Sequence, residues 1–294
     1  MIPSTLSDHK NAIRRTWGNG SLGAGIFFLL FVALGCSSSH LATSGSTLRI
    51  MTWNIHHAQG LDRKVDVDRI ASVILREKPD VVALQEVDRG VERSGKIDII
   101  TNLADLTDMT YAFGRTIGYQ GGDYGNAFLT RFPILEERNL LFKMIQPGEQ
   151  RGMLQLVLDF RGEEIVVANT HLESRADDSA RTAAAEDLET ALTSYKTRPV
   201  VVCGDFNDTP TSRVAILLKS NFKDSWETAG LGDGFTFPAD GAKKRIDYMF
   251  VLDKSRPDSV SSAVHLRPKS ARVLQSGASD HLPLLIDFEL RTER

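Results

Sequence analysis

Short apolar runs alternate with amphipathic segments from Leu48 onward. "LRIMTWNI" (48–55) alternates apolar and polar positions, and "VVALQEV" (81–87) is a nearly continuous apolar run. Both patterns predict strands, the second one buried on both faces. Between them, residues 66–80 carry apolar side chains at helical spacing, begin with acidic residues and meet Pro79, which predicts a helix. The domain therefore opens with a strand–helix–strand unit.

The remaining pattern predicts more strands than helices. Further helices are expected over 97–107 and 177–196. Further strands are expected over 124–134, 152–160, 163–173, 199–204, 245–252 and 282–290. The glycine-rich segment 117–125 is expected to be a loop. A strand–helix–strand opening followed by consecutive strands favours one α/β domain with mixed sheets.

Residues 1–36 follow a different pattern. Lys10, Arg14 and Arg15 precede the uncharged run 22–34, which is short for a membrane span and typical of the apolar core of a secretory signal. The run ends in "ALGC", which resembles a bacterial lipoprotein signal with cleavage before Cys36 and a lipid on that cysteine. An ordinary cleaved signal and an uncleaved anchor are the alternatives.

All three interpretations export the domain. We expect a membrane-anchored lipoprotein, periplasmic or on the cell surface, and otherwise a secreted protein. Residues 37–47 are small and polar and suit a flexible tether, so residues 48–294 form the functional domain.

Composition limits the classes of partner. Apolar residues make up 41% of the 294 residues and charged residues 25%, as in soluble globular proteins. The chain has 35 Lys+Arg against 38 Asp+Glu, whereas proteins that bind DNA mainly by phosphate neutralisation carry a basic excess. With Cys36 lipidated, Cys203 remains alone in an apolar strand, so a disulfide framework is excluded.

Polar side chains stand where the predicted strands begin or end. They are Asn54, Glu86, Asn169, His171, Asp205, Asn207, Asp247, Asp280 and His281. Any one of them is typical of a turn, but open α/β sheets collect ligands at the carboxyl ends of their strands. Carboxylate and amide oxygens favour a hard cation such as Mg²⁺. His56 and His57 are expected on opposite strand faces, which would prevent both from binding one ion.

Residues 48–290 contain, in this order, the motifs "TWNIH", "LQEVD", "NTHLE", "GDFND", "RIDYMF" and "SDHLPL". Through these motifs, residues 48–290 resemble the endonuclease/exonuclease/phosphatase superfamily, in which the motifs follow one another in the same order. This superfamily includes pancreatic deoxyribonuclease, abasic-site endonucleases, neutral sphingomyelinases and inositol-polyphosphate 5-phosphatases. The resemblance implies a deoxyribonuclease-I-like α/β fold, a four-layer sandwich of two packed mixed sheets flanked by helices. It also implies a metal-dependent hydrolase of phosphoester bonds.

By position, the resemblance implies that Glu86 is the principal Mg²⁺ ligand, with Mn²⁺ as an alternative ion. Asn54 would support the ion directly or through water, and Asp280 would complete the metal site. These residues would hold the cation beside the scissile phosphate, where it stabilises developing negative charge.

The catalytic roles follow in the same way. Asp205 would deprotonate the attacking water, and Asn207 would hold that water or a phosphate oxygen. His281, aligned by Asp247, would stabilise the growing negative charge on the phosphate. His171 would do the same from another side or assist the leaving group.

Substrate contacts are less well defined by the sequence. Arg151 and Asn126 could reach the phosphate, with a surface salt bridge and a turn amide as the alternatives. The expected partner is a phosphoester substrate, which is a phospholipid head group, a small phosphodiester or nucleic acid. The membrane would be reached through the N-terminal lipid. No protein partner is implied. The competing hypothesis is a non-catalytic surface module for binding on the same fold.

Overall fold

A computed structural model describes residues 46–195, 197–253 and 264–292. Its strands form two six-stranded sheets. The strands are β1 Thr47–Asn54, β2 Val81–Arg89, β3 Thr110–Tyr119, β4 Gly122–Thr130, β5 Ile134–Leu141, β6 Gly152–Phe160, β7 Glu163–His171, β8 Val200–Asp205, β9 Phe222–Asp224, β10 Asp247–Leu252, β11 Val264–Val273 and β12 Leu284–Thr292. The helices are α1 Val67–Glu77, α2 Ile99–Thr107, α3 Ser179–Thr193, α4 Arg213–Leu218 and α5 Ser225–Ala229.

Each sheet contains one parallel pair of strands at its centre. The first sheet has the order β11-β12-β1-β2-β4-β3, and the second has the order β5-β6-β7-β8-β10-β9. The parallel pairs are β1–β2 and β7–β8, and the other pairings are antiparallel. Helices α1 and α3 make the two parallel crossovers, so the carboxyl ends of β1 and β2, and of β7 and β8, each lie side by side.

Three apolar clusters separate four layers. The central cluster joins the inner faces of the two sheets and includes Phe128, Leu156 and Phe288. Helices α1 and α2 cover the outer face of the first sheet, and α3 and α4 cover that of the second. The predicted fold, a sandwich of two mixed sheets flanked by helices, is confirmed.

Local signals set the ends of helix α1. The Asp66 side chain accepts a hydrogen bond from the backbone nitrogen of Arg69, which caps the first turn. Lys78 adopts a left-handed conformation at the other end, and Pro79 follows. The helix predicted from the spacing of apolar residues is therefore confirmed, and these signals set its two ends.

Two predicted elements differ from the structure by more than three residues at one end or in kind. The strand expected over 124–134 ends at Thr130, because the segment 131–133 turns the chain into β5 of the other sheet. The loop expected over 117–125 is instead a hairpin of β3 and β4 turning at Gln120 and Gly121. Its glycines occupy strand positions as well as the turn, and a glycine-rich stretch gives no strand pattern.

The proposed signal, Cys36 and nearly all of the tether lie outside the described residues. Among the helices of the described part of the chain, none has the length and apolar character needed to span a membrane.

Candidate active site

Polar side chains from both sheets meet in a cleft at the ends of β1, β2, β7 and β8. The cleft has a volume of about 410 Å³. Its titratable lining residues include Glu86, Arg93, Glu149, Arg151, His171, Asp205, Asp280 and His281. A larger cavity of about 640 Å³ lies beside α5 and β11, but its lining is mainly apolar. The chemistry predicted from the sequence therefore belongs to the smaller, polar cleft.

Asp205 ends β8 and is 1% exposed. Its Oδ1 accepts a hydrogen bond from the backbone nitrogen of Asn207 (2.9 Å), and its Oδ2 accepts one from Asn54 Nδ2 (3.1 Å). Gly204 has a φ of 143°, and a Cβ atom there would lie 1.9 Å from the carbonyl oxygen of Thr170. Only glycine allows β8 this close to β7, so Gly204 fixes the position of the following carboxylate.

His281 lies between two buried carboxylates. Its Nδ1 is 3.0 Å from Asp247 Oδ2, and its Nε2 is 3.6 Å from Asp205 Oδ2. Burial alone lowers the pKa of His281, but Asp247 and Asp205 outweigh that effect and raise the pKa to about 10. The ring is therefore an imidazolium at neutral pH, with Nδ1 donating to Asp247.

The same surroundings change the acidity of Asp205. Burial raises the pKa of Asp205 to about 7, the positive charge of His281 opposes this rise, and Asp247 adds to it. A general base is most effective when its pKa lies near the working pH. Asp205 can therefore be ionised at neutral pH and still accept a proton readily.

His171 differs from His281 in its charge. Arg151 Nη1 lies 3.0 Å from its Nδ1, and Asn207 Nδ2 lies 3.0 Å from its Nε2. Burial lowers the pKa of His171 well below the ordinary value, and Arg151 and His281 lower it further. His171 is therefore neutral, and a donor nitrogen faces each of its two ring nitrogens. Its role at the phosphate stays a prediction. We call His171, Asp205, Asp247 and His281 the acid–base cluster.

Glu86 is aimed into the cleft by a bulge in β2. The register between β2 and β4 shifts between Leu84 and Val87, and Glu86 has a φ of 58°. A non-glycine residue in a sparsely populated backbone region costs about 1–3 kcal/mol, and such strain is concentrated at functional sites. The bulge places the carboxylate beside the acid–base cluster.

Asn54 connects the two carboxylates. Its Nδ2 donates to Glu86 Oε1 (3.0 Å) as well as to Asp205, while its Oδ1 accepts from the backbone nitrogen of His56 (3.0 Å). That last contact fixes the orientation of the amide, because a turned amide would place two donors together. Asn54 thus presents a nitrogen, which cannot bind a cation, to Glu86. Of the two predicted ways in which Asn54 could support the ion, the structure favours the indirect one over direct ligation.

The two adjacent histidines correct a prediction. His56, His57 and Ala58 form a 3₁₀ turn with φ angles of 44°, 44° and 61°, so strand alternation does not apply to them. A ring nitrogen of each histidine and a carboxylate oxygen of Glu86 all lie within 4.8 Å of one another. The expectation that the rings point to opposite faces was wrong. We call His56, His57, Glu86 and Asp280 the cation cluster.

Asp280 joins this cluster through His56, whose Nδ1 is 3.7 Å from Asp280 Oδ1. Glu86 and Asp280 supply carboxylate oxygens, and the histidines supply ring nitrogens. Burial lowers the pKa of His57 to about 4, so its ring is neutral and can act as a ligand. The donor set therefore fits a divalent cation.

The two predicted substrate ligands occupy different positions. Arg151 lines the cleft, where its Nη1 contacts both His171 and Glu149 Oε1 (2.8 Å). Asn126 is 3% exposed, and its Nδ2 donates to the carbonyl oxygen of Gly152 across the two sheets. The structure gives Asn126 this backbone contact and does not place it among the residues lining the cleft. Its substrate-binding role stays a prediction.

Several lining residues were missed by the sequence analysis. Ile117, Tyr119 and Tyr124 come from the hairpin that was expected to be a loop. The Phe237 ring centroid lies 4.7 Å from that of His281. The signal for the first three was the alternation within 117–124, which the glycines obscured. Phe237 stands in a segment without hydrophobic periodicity, so nothing in the sequence indicated that it lies next to His281.

Asn169, another polar residue at a strand end, supports the site from below. It is fully buried, and its Oδ1 accepts from Gln85 Nε2 (2.6 Å). Its Nδ2 donates to the backbone oxygens of Leu84 and Ala127 in the first sheet. Asn169 therefore joins the two sheets beneath the cleft.

Known proteins share both sequence and fold with this chain. YbhP of Escherichia coli strain K12 is 28% identical over 262 residues, covering 84% of this chain and 98% of YbhP. The 5'-tyrosyl-DNA phosphodiesterase of Caenorhabditis elegans is 24% identical over 246 residues, covering 74% and 64% of the two chains. The human nocturnin catalytic domain, solved with a bound sulfate anion, superposes with a TM-score of 0.65 at 25% identity and covers 83% of this chain and 93% of its own.

A mannosyl-6-phosphatase from Bacteroides thetaiotaomicron has the same fold, with a TM-score of 0.64 at 20% identity, covering 83% of this chain and 99% of its own. The family model described as Endonuclease/Exonuclease/phosphatase family matches residues 51–281. This confirms the predicted enzyme class, a hydrolase of phosphoester bonds. The chain belongs to the endonuclease/exonuclease/phosphatase family.

Proposed function

We propose that this protein is an exported, divalent-cation-dependent phosphodiesterase that uses water as the nucleophile. The observation that carries the proposal is the position of Asp205 within one hydrogen-bonded site. Asn54 Nδ2 joins its carboxylate to Glu86, and the His281 imidazolium faces it at 3.6 Å. A base, a positive donor and a cation-binding carboxylate thus surround one cleft.

Glu86 and Asp280 would hold the cation, with Asn54 orienting Glu86. The sequence favours Mg²⁺, with Mn²⁺ as the alternative. When bound, the cation supplies positive charge to the phosphoryl oxygens.

Asp205 accepts a proton from the attacking water. The water oxygen forms a bond to phosphorus while the ester P–O bond on the opposite side breaks, and the leaving oxygen takes a proton from solvent water. The donors Asn54 and Asn207 hold the carboxylate in one orientation, so little reorganisation accompanies proton transfer. Asp247 keeps His281 in the protonated form, in which Nε2–H can donate to a phosphoryl oxygen.

The charges in the cleft favour a diester over a more highly charged ester. Arg93 is held by Asp88 through two hydrogen bonds of 2.9 Å, and Arg151 contacts Glu149 at 2.8 Å. Each of these cleft arginines therefore already faces a carboxylate. A phosphodiester carries one negative charge, so it needs less uncompensated positive charge in the cleft than a phosphomonoester does.

The relatives support the reaction class. One is named a 5'-tyrosyl-DNA phosphodiesterase, and human nocturnin was solved with a sulfate anion. The native ester is a phospholipid head group, another small phosphodiester or nucleic acid. The acidic composition, with a sequence pI near 6.2, favours the first two.

The full-length protein tests the proposal directly. Hydrolysis of bis(p-nitrophenyl) phosphate, p-nitrophenyl phosphate, sphingomyelin, RNA and plasmid DNA is compared in Mg²⁺, Mn²⁺ and EDTA. We expect cation-dependent hydrolysis with the diester faster than the monoester, lost in Asp205→Ala. The non-catalytic module would be supported instead if the folded protein is inactive on every substrate and if Glu86→Ala binds these substrates as the wild type does.

Export is tested separately at Cys36. If this residue carries the lipid, Cys36→Ser should move the protein from the membrane fraction to the soluble fraction. Retention of the variant in membranes would indicate an uncleaved anchor.

A further inference from the structure

The turn at His56–Ala58 brings two imidazoles to the carboxylate of Glu86. The left-handed backbone of His56 and His57 sets their ring centroids 4.5 Å apart at an angle of 69°. A nitrogen from each ring and an oxygen of Glu86 lie within 4.8 Å of one another. This spacing allows one ion to reach all three residues, given small side-chain movements.

His57 contains a polar atom without a partner. The residue is 6% exposed, and its Nδ1 is buried with no hydrogen-bond partner. Buried polar atoms in folded proteins are nearly always paired with protein, water or an ion. The unpaired nitrogen belongs to a ring that has a nitrogen within 4.8 Å of the Glu86 carboxylate, and it is therefore a second indication of a bound ligand.

The surrounding charges are compatible with a cation. Asp280 adds a second carboxylate, 3.7 Å from His56 Nδ1. The nearby guanidinium of Arg93 is held by two hydrogen bonds to Asp88, so its charge is largely compensated. The cluster thus combines two carboxylates with two imidazoles.

We propose that His57, together with His56, ligates the divalent cation held by Glu86, and that this centre therefore selects a transition metal over Mg²⁺. The inference rests on the proposed function, because Glu86 is the carboxylate assigned there to the cation. Mg²⁺ is bound almost entirely by oxygen, whereas imidazole suits Zn²⁺, Co²⁺ and other first-row metals. The two nitrogen donors therefore favour first-row transition metals over Mg²⁺ more strongly than a site made of oxygens alone would.

The first measurement uses full-length protein with ¹⁵N-labelled histidine. Titration with Zn²⁺ should shift the ring-nitrogen resonances of His57, whereas Mg²⁺ should leave them near their starting positions. The resonances are assigned by their loss in His57→Asn, which suits the left-handed backbone because asparagine tolerates that conformation. Unmoved His57 resonances at saturating Zn²⁺ would overturn the proposal.

The second measurement compares Co²⁺ and Mg²⁺ affinities by calorimetry. His57→Asn should weaken Co²⁺ binding by at least about 10–100-fold, since the loss of an outer-shell partner already costs that much, and should change Mg²⁺ binding less than about twofold. His265→Asn, which removes an imidazole on β11, is the matched control and should alter neither affinity. Equal weakening for both metals would overturn the proposal.

A variant that fails to fold does not end the test. His57→Gly removes the ring and adopts a φ of 44° without steric cost, so it repeats the comparison independently. Hydrolysis with Mg²⁺ and unmoved His57 resonances would overturn this inference alone. Shifted His57 resonances without hydrolysis in any metal would instead overturn the proposed function.

Discussion

The two side-chain clusters at the cleft form its two halves, with some members behind the lining, and they differ in how far the protein itself completes them. In the acid–base cluster, Asp205, Asp247 and the two histidines are 0–6% exposed, and their side chains contact one another. The cation cluster has partly exposed carboxylates, positive φ angles at His56, His57 and Glu86, and an unpaired ring nitrogen. One half is preorganised by internal contacts, and the other has the composition of a ligand site.

This difference divides the expected roles. Preorganised donors and acceptors lower a reaction barrier without moving during the reaction. A strained cluster with an unpaired donor gains its missing contacts only when an ion binds. Substitutions in the first half should therefore act on the rate constant, and substitutions in the second half on cation affinity.

The largest effect is expected for Asp205→Asn. The variant cannot accept the proton of water, so kcat should fall by about 10²–10⁴-fold, the usual contribution of a general base. Its Mg²⁺ affinity should change little. Steady-state kinetics on bis(p-nitrophenyl) phosphate measure the first quantity, and calorimetry measures the second.

Asp208→Asn is the matched control for Asp205→Asn. Asp208 stands in the same turn, but its Oδ2 contacts Arg181 and it does not line the cleft. Its kcat should remain near that of the wild type. A similar loss in both variants would show that disturbance of the turn, rather than loss of a base, explains the result.

A smaller loss, about 10²–10³-fold in kcat, is expected for Asp247→Asn, because His281 would lose the carboxylate that keeps it charged. The alkaline limb of the rate profile should also move to lower pH. An unchanged limb would mean that Asp247 does not set the charge of His281. Rate measurements between pH 6 and 11 would distinguish these outcomes.

Glu86→Gln tests the other half of the cleft. Loss of an outer-shell partner of a metal lowers affinity by about 10–100-fold, and the loss of Glu86 should lower cation affinity by at least that much. Excess cation should restore part of the rate. Glu92→Gln, in the exposed turn after β2, provides the control. A large loss of kcat in Glu86→Gln at saturating cation would contradict the proposal that this cluster acts on cation affinity and the acid–base cluster on the rate constant.

The pH profile sharpens the comparison further. With the pKa of Asp205 raised to about 7 by burial, the rate should rise about tenfold per pH unit below that value. Since His281 must stay protonated, with a pKa raised to about 10, the rate should fall above that value. A cation bound at Glu86 would move the acidic limb to lower pH. A profile in Mn²⁺ with no acidic limb at any pH at which the protein stays folded would contradict Asp205 as the base.

The residues at strand ends could be predicted because strand alternation depends on local sequence and the carboxyl ends of strands collect ligands in α/β sheets. Asp205, Asp247 and His281 were named from their strands and lie together. The turn of His56 and His57 could not be predicted, since three consecutive left-handed residues contradict the local preference of the chain. Tertiary packing selects that conformation, and the same holds for the approach of Phe237 to His281.

The smallest expected effect concerns stability. The pKa of Asp205, raised by burial to about 7 in the folded chain, lies above its ordinary value of 3.8. The folded state therefore binds more protons than the unfolded state between these values, and stability falls as the pH rises from 3.8 to about 7. Above that range the ionised carboxylate destabilises the fold by on the order of 1–4 kcal/mol.

Asp205→Asn removes this cost, so the inactive variant should melt several degrees above the wild type at pH 8.5 and close to it at pH 4. Thermal unfolding followed by circular dichroism at the two pH values measures the difference. A variant that melts below the wild type at pH 8.5 would mean that attraction between Asp205 and the His281 imidazolium outweighs the burial of the carboxylate. The acid–base cluster would then stabilise the fold as well as serve the reaction, and only the strained cation cluster would trade stability for function.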